Sequence, residues 1–195
     1  EMNEKLENIR LLNKRIINEY PDERIIIGHG DIDSPIMLIG EAPGAKEIEL
    51  GKPFVGQAGK HFEEFLQVLN INREDVYITN TVKYRPTKMN SKTGGLSNRT
   101  PTSKEIDEFR SYLYEEIHII NPKIIVTLGN TPLKCIFNED LKIGKVHGSS
   151  LEKEIEGKKY SILPLYHPAA VIYRRELKEV YMVDLMGLKK IIEKL

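Results

Sequence analysis

Ile36-Met37-Leu38-Ile39 runs directly into Gly40-Glu41-Ala42-Pro43-Gly44, and this junction decides the fold. A short apolar run closed by glycine and proline reads as a buried strand entering a turn. Two more stretches read the same way, Val76-Tyr77-Ile78-Thr79 and Lys123-Ile124-Ile125-Val126-Thr127-Leu128, and a fourth strand is expected over 160–166. Helical patterns at 59–70 and 103–120 separate the first three. Strands alternating with helices predict βαβ units and a parallel sheet, an α/β fold. A charged amphipathic helix is expected at 3–19. A last helix is expected at 176–194, with Val180, Val183, Leu185, Leu188, Ile191 and Ile192 on or near one face.

The chain has 195 residues, 40% of them hydrophobic, enough for one sizeable core. One domain is expected over 1–195, with 1–24 as an N-terminal helix and lead-in. Glu1 ahead of Met2 reads as an addition to the natural start. No apolar run approaches the ~20 residues that span a bilayer, and the charged first residues lack the apolar centre of a secretory leader. A single cysteine, Cys135, excludes an internal disulfide and argues against a Cys-ligated metal or cluster. The expected location is the cytoplasm. Twenty-nine basic residues balance 29 acidic ones. Zero net charge speaks against a general nucleic-acid binder, unless the basic residues are clustered.

Ligands of open α/β sheets bind beyond the carboxyl ends of the strands. The segments there are 40–59, 80–102, 129–130 and 167–174, long enough in part to suggest function. Glu41 leaves the first strand where a catalytic carboxylate would be well placed; the plain alternative is a solvated turn residue. Phe54, in Pro53-Phe54-Val55-Gly56, is either a plug over the sheet end or a stacking platform for a flat base. Asn80 ends the second strand, as a turn former or as an amide offering both donor and acceptor to a base edge. His167 follows the fourth strand and faces the same rim, whereas His29, His61, His118 and His147 have no comparable setting. Residues 81–100 hold Lys83, Arg85, Lys88, Lys92 and Arg99 without one acid, either a solvated loop or a surface for phosphates.

Taken together, these motifs resemble the uracil-DNA glycosylase superfamily, specifically its family-four type. The resemblance is carried by Gly40-Glu41-Ala42-Pro43-Gly44 with Glu47, by Pro53-Phe54-Val55-Gly56 with Ala58-Gly59, and by Thr79-Asn80 with Lys83 and Arg85-Pro86. Asn98-Arg99-Thr100-Pro101, Pro122 to Val126, Leu128-Gly129 and His167-Pro168-Ala169-Ala170 extend it across residues 25–195. It implies a three-layer α/β/α sandwich around a four-stranded parallel sheet, and hydrolysis of the N-glycosidic bond of uracil in DNA. By position, Glu41 would orient or activate water, and His167 would hydrogen-bond the uracil O2. Phe54 would stack on the base, Asn80 would read its edge beside Ala42, and Glu47 would crowd its C5. The expected partner is uracil-containing DNA, with no membrane, and a monomer suffices. Lys83, Arg85, Lys88, Lys92, Arg99 and Arg174 are the expected DNA contacts, with Ile172 and Tyr173 as a wedge for the gap left by the flipped base.

The chain departs from the family pattern in one respect. Relatives of this type hold an iron–sulfur cluster on four cysteines. Here Tyr84 and Glu108 stand at two of those positions, and the N-terminal pair has no counterpart, so no cofactor is expected. About a dozen extra residues, 87–97, follow Arg85-Pro86. They contain no histidine, which gives no support to the covalent uracil capture of some relatives. Two other readings remain open: a glycosylase for another deaminated base such as hypoxanthine, or a weakly catalytic binder of uracil or abasic sites. A nucleotide-phosphate hydrolase is disfavoured, because Gly-x4-Gly-Lys-[Ser/Thr] is absent.

Overall fold

The computed structural model describes residues 2–195; Glu1, which reads as an addition to the natural start, lies outside them. In chain order the elements are α1 (Met2–Glu19), β1 (His29–Gly30), β2 (Ile36–Gly40), α2 (Ala45–Leu50), α3 (Gln57–Leu69), β3 (Tyr77–Asn80), β4 (Thr87–Met89) and β5 (Leu96–Asn98). They continue with α4 (Ser103–Ile120), β6 (Ile124–Leu128), α5 (Asn130–Phe137), α6 (Ile143–Val146), β7 (Leu151–Ile155), β8 (Lys158–Leu165), α7 (Pro168–Tyr173) and α8 (Lys178–Glu193).

The main sheet has the order β1-β3-β2-β6-β8-β7. Its inner four strands are parallel, as expected, but the sheet is wider than the expected four, with an antiparallel strand on each edge. Alternation of side chains along β2 sorts the core into two halves. Met37 and Ile39 pack under α1, α4 and α5, with Leu12, Ile16, Phe109, Leu113 and Ile136. Ile36 and Leu38 pack under α3, α7 and α8, with Phe62, Phe65, Val171, Leu185 and Leu188. The result is a three-layer α/β/α sandwich.

Helix ends follow local chemistry. Thr102 caps α4 by accepting from the Glu105 N–H, while the Glu105 side chain accepts from the Thr102 N–H. Asn70 and Asn121 close α3 and α4 in the left-handed conformation. The chain leaves β2 for β3 on one side and returns from β3 to β6 on the other. The strand order therefore reverses beside β2, which is where α/β sheets open a ligand crevice.

Candidate active site

Four strand ends meet at that crevice. Backbone bonds carry the strands past their last sheet pairing: Thr81 N–H donates to the Gly40 carbonyl at 2.9 Å, and Val82 N–H to that of Glu41 at 3.0 Å. On the other side Gly129 N–H donates to Leu165 O at 2.8 Å. A cavity of about 250 Å³ results, lined by Glu41, Ala42, Glu47, Phe54, Ala58, Asn80, Leu128, Gly129 and His167. The structure thus brings together Glu41, Asn80 and His167, which the sequence places on separate strand ends, with Ala42, Glu47 and Phe54 beside them. A second cavity of about 350 Å³ adjoins it, sharing Glu41, Gly129 and His167 and adding Thr100, Thr131, Tyr166 and Arg174.

Each side chain is held by something specific. Glu41 Oε2 accepts a 2.6 Å hydrogen bond from the Thr131 hydroxyl on α5. Nothing in the sequence singles out Thr131 beyond its place directly after the strand-end segment 129–130. His167 caps α7: its Nδ1 accepts from Ala169 N–H at 3.0 Å. An accepting Nδ1 puts the proton of the neutral ring on Nε2, making that nitrogen a donor. Burial, with the charge of His61 as a smaller cause, lowers the ring's pKa to about 4.

Phe54 has φ 53°, a left-handed conformation unusual for a bulky residue. The surroundings enforce it. Glu47 accepts from Val55 N–H at 3.0 Å, Gly56 N–H at 2.6 Å and Gly44 N–H at 2.9 Å. Arg73 donates to the carbonyls of Pro53 and Phe54. Gly59 lets that loop approach, since a Cβ there would stand 2.3 Å from the Phe54 oxygen. The ring is backed by Phe62 at 4.6 Å between centroids and lies within 17° of parallel to His167 at 6.3 Å. Asn80 is 4% exposed, and Gly40 leaves it room: a Cβ on Gly40 would stand 2.6 Å from Asn80 Oδ1 and 2.3 Å from the Phe54 ring.

The expected DNA contacts divide. Lys88 and Lys92 are exposed, and Arg85 is partly so. Ile172 and Tyr173 are 50% and 81% exposed at the end of α7, and Arg174 pairs with Glu176 on the surface at 3.0 Å. Lys83 requires a correction. It is fully buried, with Nζ 2.9 Å from Glu116 Oε1 and 3.0 Å from Thr79 Oγ1, and it donates to the Asn80 carbonyl. The crossing of α4 over the end of β3 encloses it, so it cannot reach a phosphate. Arg99 is engaged internally as well, donating to Glu105 at 2.6 and 3.2 Å and to Thr87 O at 2.9 Å. Burial pushes the Glu105 carboxyl up, but the hydrogen bonds from Arg99, Tyr84 and the Thr102 backbone outweigh it and hold the pKa down at about 2.

The family model for the uracil DNA glycosylase superfamily matches residues 27–186. The chain belongs to that superfamily. A Type-4 uracil-DNA glycosylase of Archaeoglobus fulgidus is 42% identical over 161 residues, 80% of this chain and 76% of that protein. The Type-4 uracil-DNA glycosylase of Thermotoga maritima is 38% identical over 173 residues, 87% and 84% of the two chains. That of Pyrobaculum aerophilum is 35% identical over 183 residues, 92% and 88%.

The iron–sulfur cluster of the family-four resemblance does not fit the residues of this superfamily member. Clusters are held by thiolates, and Cys135 is buried on α5, where burial pushes its thiol up to about 12. Tyr84 and Glu108 stand in an aromatic group instead. Tyr20 stacks on Phe109 at 5.1 Å and meets Tyr84 edge-on at 5.4 Å, and its hydroxyl donates to Glu108 at 3.4 Å. Tyr84 donates to Glu105, joining this group to the Arg99 ion pair. Phenols and carboxylates in these bonds offer no set of soft ligands. Among the described residues, no helix is long and apolar enough to cross a membrane.

Proposed function

We infer that the protein is a uracil-DNA glycosylase acting in base excision repair, and that Glu41 and His167 carry its chemistry. The observation that carries this reading is the convergence of a carboxylate, an amide, an aromatic ring and a neutral histidine on one cavity. Those are the parts that base excision requires. The target base must leave the stack at a cost of a few kcal/mol. Phe54, backed by Phe62, offers the extruded ring a flat surface, and Asn80 offers a donor and an acceptor to its polar edge. Glu47 already accepts three backbone N–H groups, so its contribution is steric: it stands in the wall and crowds a methyl group at C5. Ala42 completes the wall.

As the C1′–N1 bond breaks, its electron pair leaves with the uracil and positive charge develops on the sugar. A nearby carboxylate favours such an oxocarbenium-like species. Glu41 has one oxygen fixed by Thr131, and its other oxygen orients the water and takes its proton as the water bonds to C1′. The His167 Nε2–H donates to the uracil O2, where negative charge collects. One aimed donor of this kind is worth ~3–4 kcal/mol. The adjoining cavity, with Thr100 and Arg174 in its wall, suits the sugar and phosphate of the extruded nucleotide. Arg85, Lys88, Lys92 and Arg174 face the phosphates, and Ile172 and Tyr173 fill the gap in the stack. The chemistry needs neither metal nor cofactor, and one copy of the chain supplies every group named.

The test is an incision assay under single-turnover conditions, with oligonucleotides carrying uracil, hypoxanthine or thymine. Uracil is released without added metal and thymine is not. Glu41→Gln lowers the uracil rate by about a hundredfold or more. Failure to release uracil from single- and double-stranded DNA at enzyme excess rejects the reading.

A further inference from the structure

Residues 87–98 stand apart from the sandwich. Strand β4 pairs with β5 alone, Thr87 opposite Asn98, Lys88 opposite Ser97 and Met89 opposite Leu96. A hairpin this short has no core of its own and is not stable unaided. Its base is anchored: Arg99 N–H donates to Pro86 O at 3.2 Å, Arg99 Nε to Thr87 O at 2.9 Å and Arg85 Nε to Asn98 Oδ1 at 2.7 Å. The fork of Arg99 onto Glu105 ties that base to the first turn of α4.

Beyond the anchored base sit two large apolar side chains that no described residue covers. Met89 is 72% exposed and Leu96 59%. Directly opposed residues share one face of a hairpin, so the two form a single apolar spot. Charge indicates what it meets. Residues 76–104 contain no acid, and Lys88 and Lys92 are exposed on the same hairpin. Position indicates where. Asn98 at the base lies against Gly44, its Nδ2 3.3 Å from where a Cβ would stand, and the Gly44 N–H is held by Glu47 of the pocket wall. Thr100, next after Arg99, lines the cavity that contains Glu41 and His167.

We propose that this hairpin is a second DNA-gripping element, which packs Met89 and Leu96 into the groove of a duplex beside the extruded nucleotide while Lys88 and Lys92 meet phosphates. It stands on the rim formed by the 98–100 segment, and the end of α7 stands on the rim formed by His167 and Arg174, so a duplex over the pocket is held on two sides. Apolar side chains enter grooves where base steps are opened, and an unpaired strand presents no groove. The proposal rests on the glycosylase reading of the pocket.

The test compares Met89→Ser with Leu96→Ser, as a double variant, against the conservative pair Met89→Leu with Leu96→Met. Binding to a uracil-containing duplex and to the uracil strand alone is followed by fluorescence anisotropy, and thermal unfolding checks that both variants fold. The serine variant loses at least about tenfold more affinity for duplex than for single strand, as removal of two apolar side chains from a groove should cause. The conservative pair retains duplex affinity. Unchanged duplex binding by the serine variant, or equal losses on both DNAs, overturns the proposal. If the unaltered protein cleaves uracil DNA while the serine variant binds duplex normally, the hairpin assignment alone falls. An unaltered protein that cleaves neither DNA instead removes the glycosylase reading.

Discussion

In the proposed reaction, His167 serves both fold and chemistry through its two nitrogens. Nδ1 caps α7, which leaves Nε2 as the ring's donor, and the residue lines the cavity. The arrangement requires a neutral ring, and a pKa near 4 keeps it neutral throughout the physiological range. Because the folded ring resists protonation more than the unfolded one, its contribution to stability is complete above the ordinary histidine value of 6.5. It declines as pH falls from there toward about 4. The single-turnover rate of uracil release should therefore show no inflection near pH 6.5 from this residue; its acid limb should lie closer to 4. His167→Ala should lower the rate by about a hundredfold or more. A wild-type rate in the alanine variant, or an acid limb centred at the ordinary histidine value, would reject the assignment.

Elements are tied together at this site by groups that do no chemistry. The buried Lys83–Glu116 pair fastens the end of β3 to α4, with the Tyr77 hydroxyl donating to Glu116 at 2.5 Å and Lys83 bound to the Asn80 carbonyl. Removing one partner of such a pair leaves an uncompensated buried charge. Lys83→Met should lower unfolding stability by ~3–5 kcal/mol in denaturant titrations. Lys83→Met with Glu116→Gln should recover much of that loss, because no charge is then left unpaired. A phosphate contact would behave differently: the single variant would stay as stable as wild type and lose only DNA affinity. The strands this pair supports are legible in the sequence, since strands buried on both faces are continuous apolar runs. Edge strands are not. Strand β1 has only two residues, and β7, Leu-Glu-Lys-Glu-Ile, alternates half-buried and exposed until its buried last residue, like a surface segment. The 87–98 hairpin is likewise hidden, its strands being short and largely polar.

At the scale of the whole molecule, neutrality makes the placement of charge decisive. With 29 cations against 29 anions, attraction to DNA depends on a local excess. Part of the basic run is cancelled internally, Lys83 by Glu116 and Arg99 by Glu105, which leaves Arg85, Lys88 and Lys92. Lys88→Ala with Lys92→Ala should therefore weaken DNA binding and flatten the plot of log affinity against log salt by roughly two units, about one for each phosphate left without its lysine. An unchanged slope would make the two lysines solvated surface only.

The sequence by itself determined the parallel sheet, its strand ends and the residues standing there, because apolar runs and the punctuation that follows them are local signals. It placed Glu41, Asn80 and His167 on those ends, and Phe54 in the loop that follows the first of them, without any contact being known. Only the tertiary structure decided which cation is buried and which reaches water, since Lys83 and Lys88 look alike in the chain and differ through Glu116, far along the sequence. It also decided that Thr131 holds Glu41 across ninety positions and that Glu47 holds the phenylalanine loop. Partners of this kind are chosen by three-dimensional proximity after the layers have packed, and no local pattern of residues records that choice.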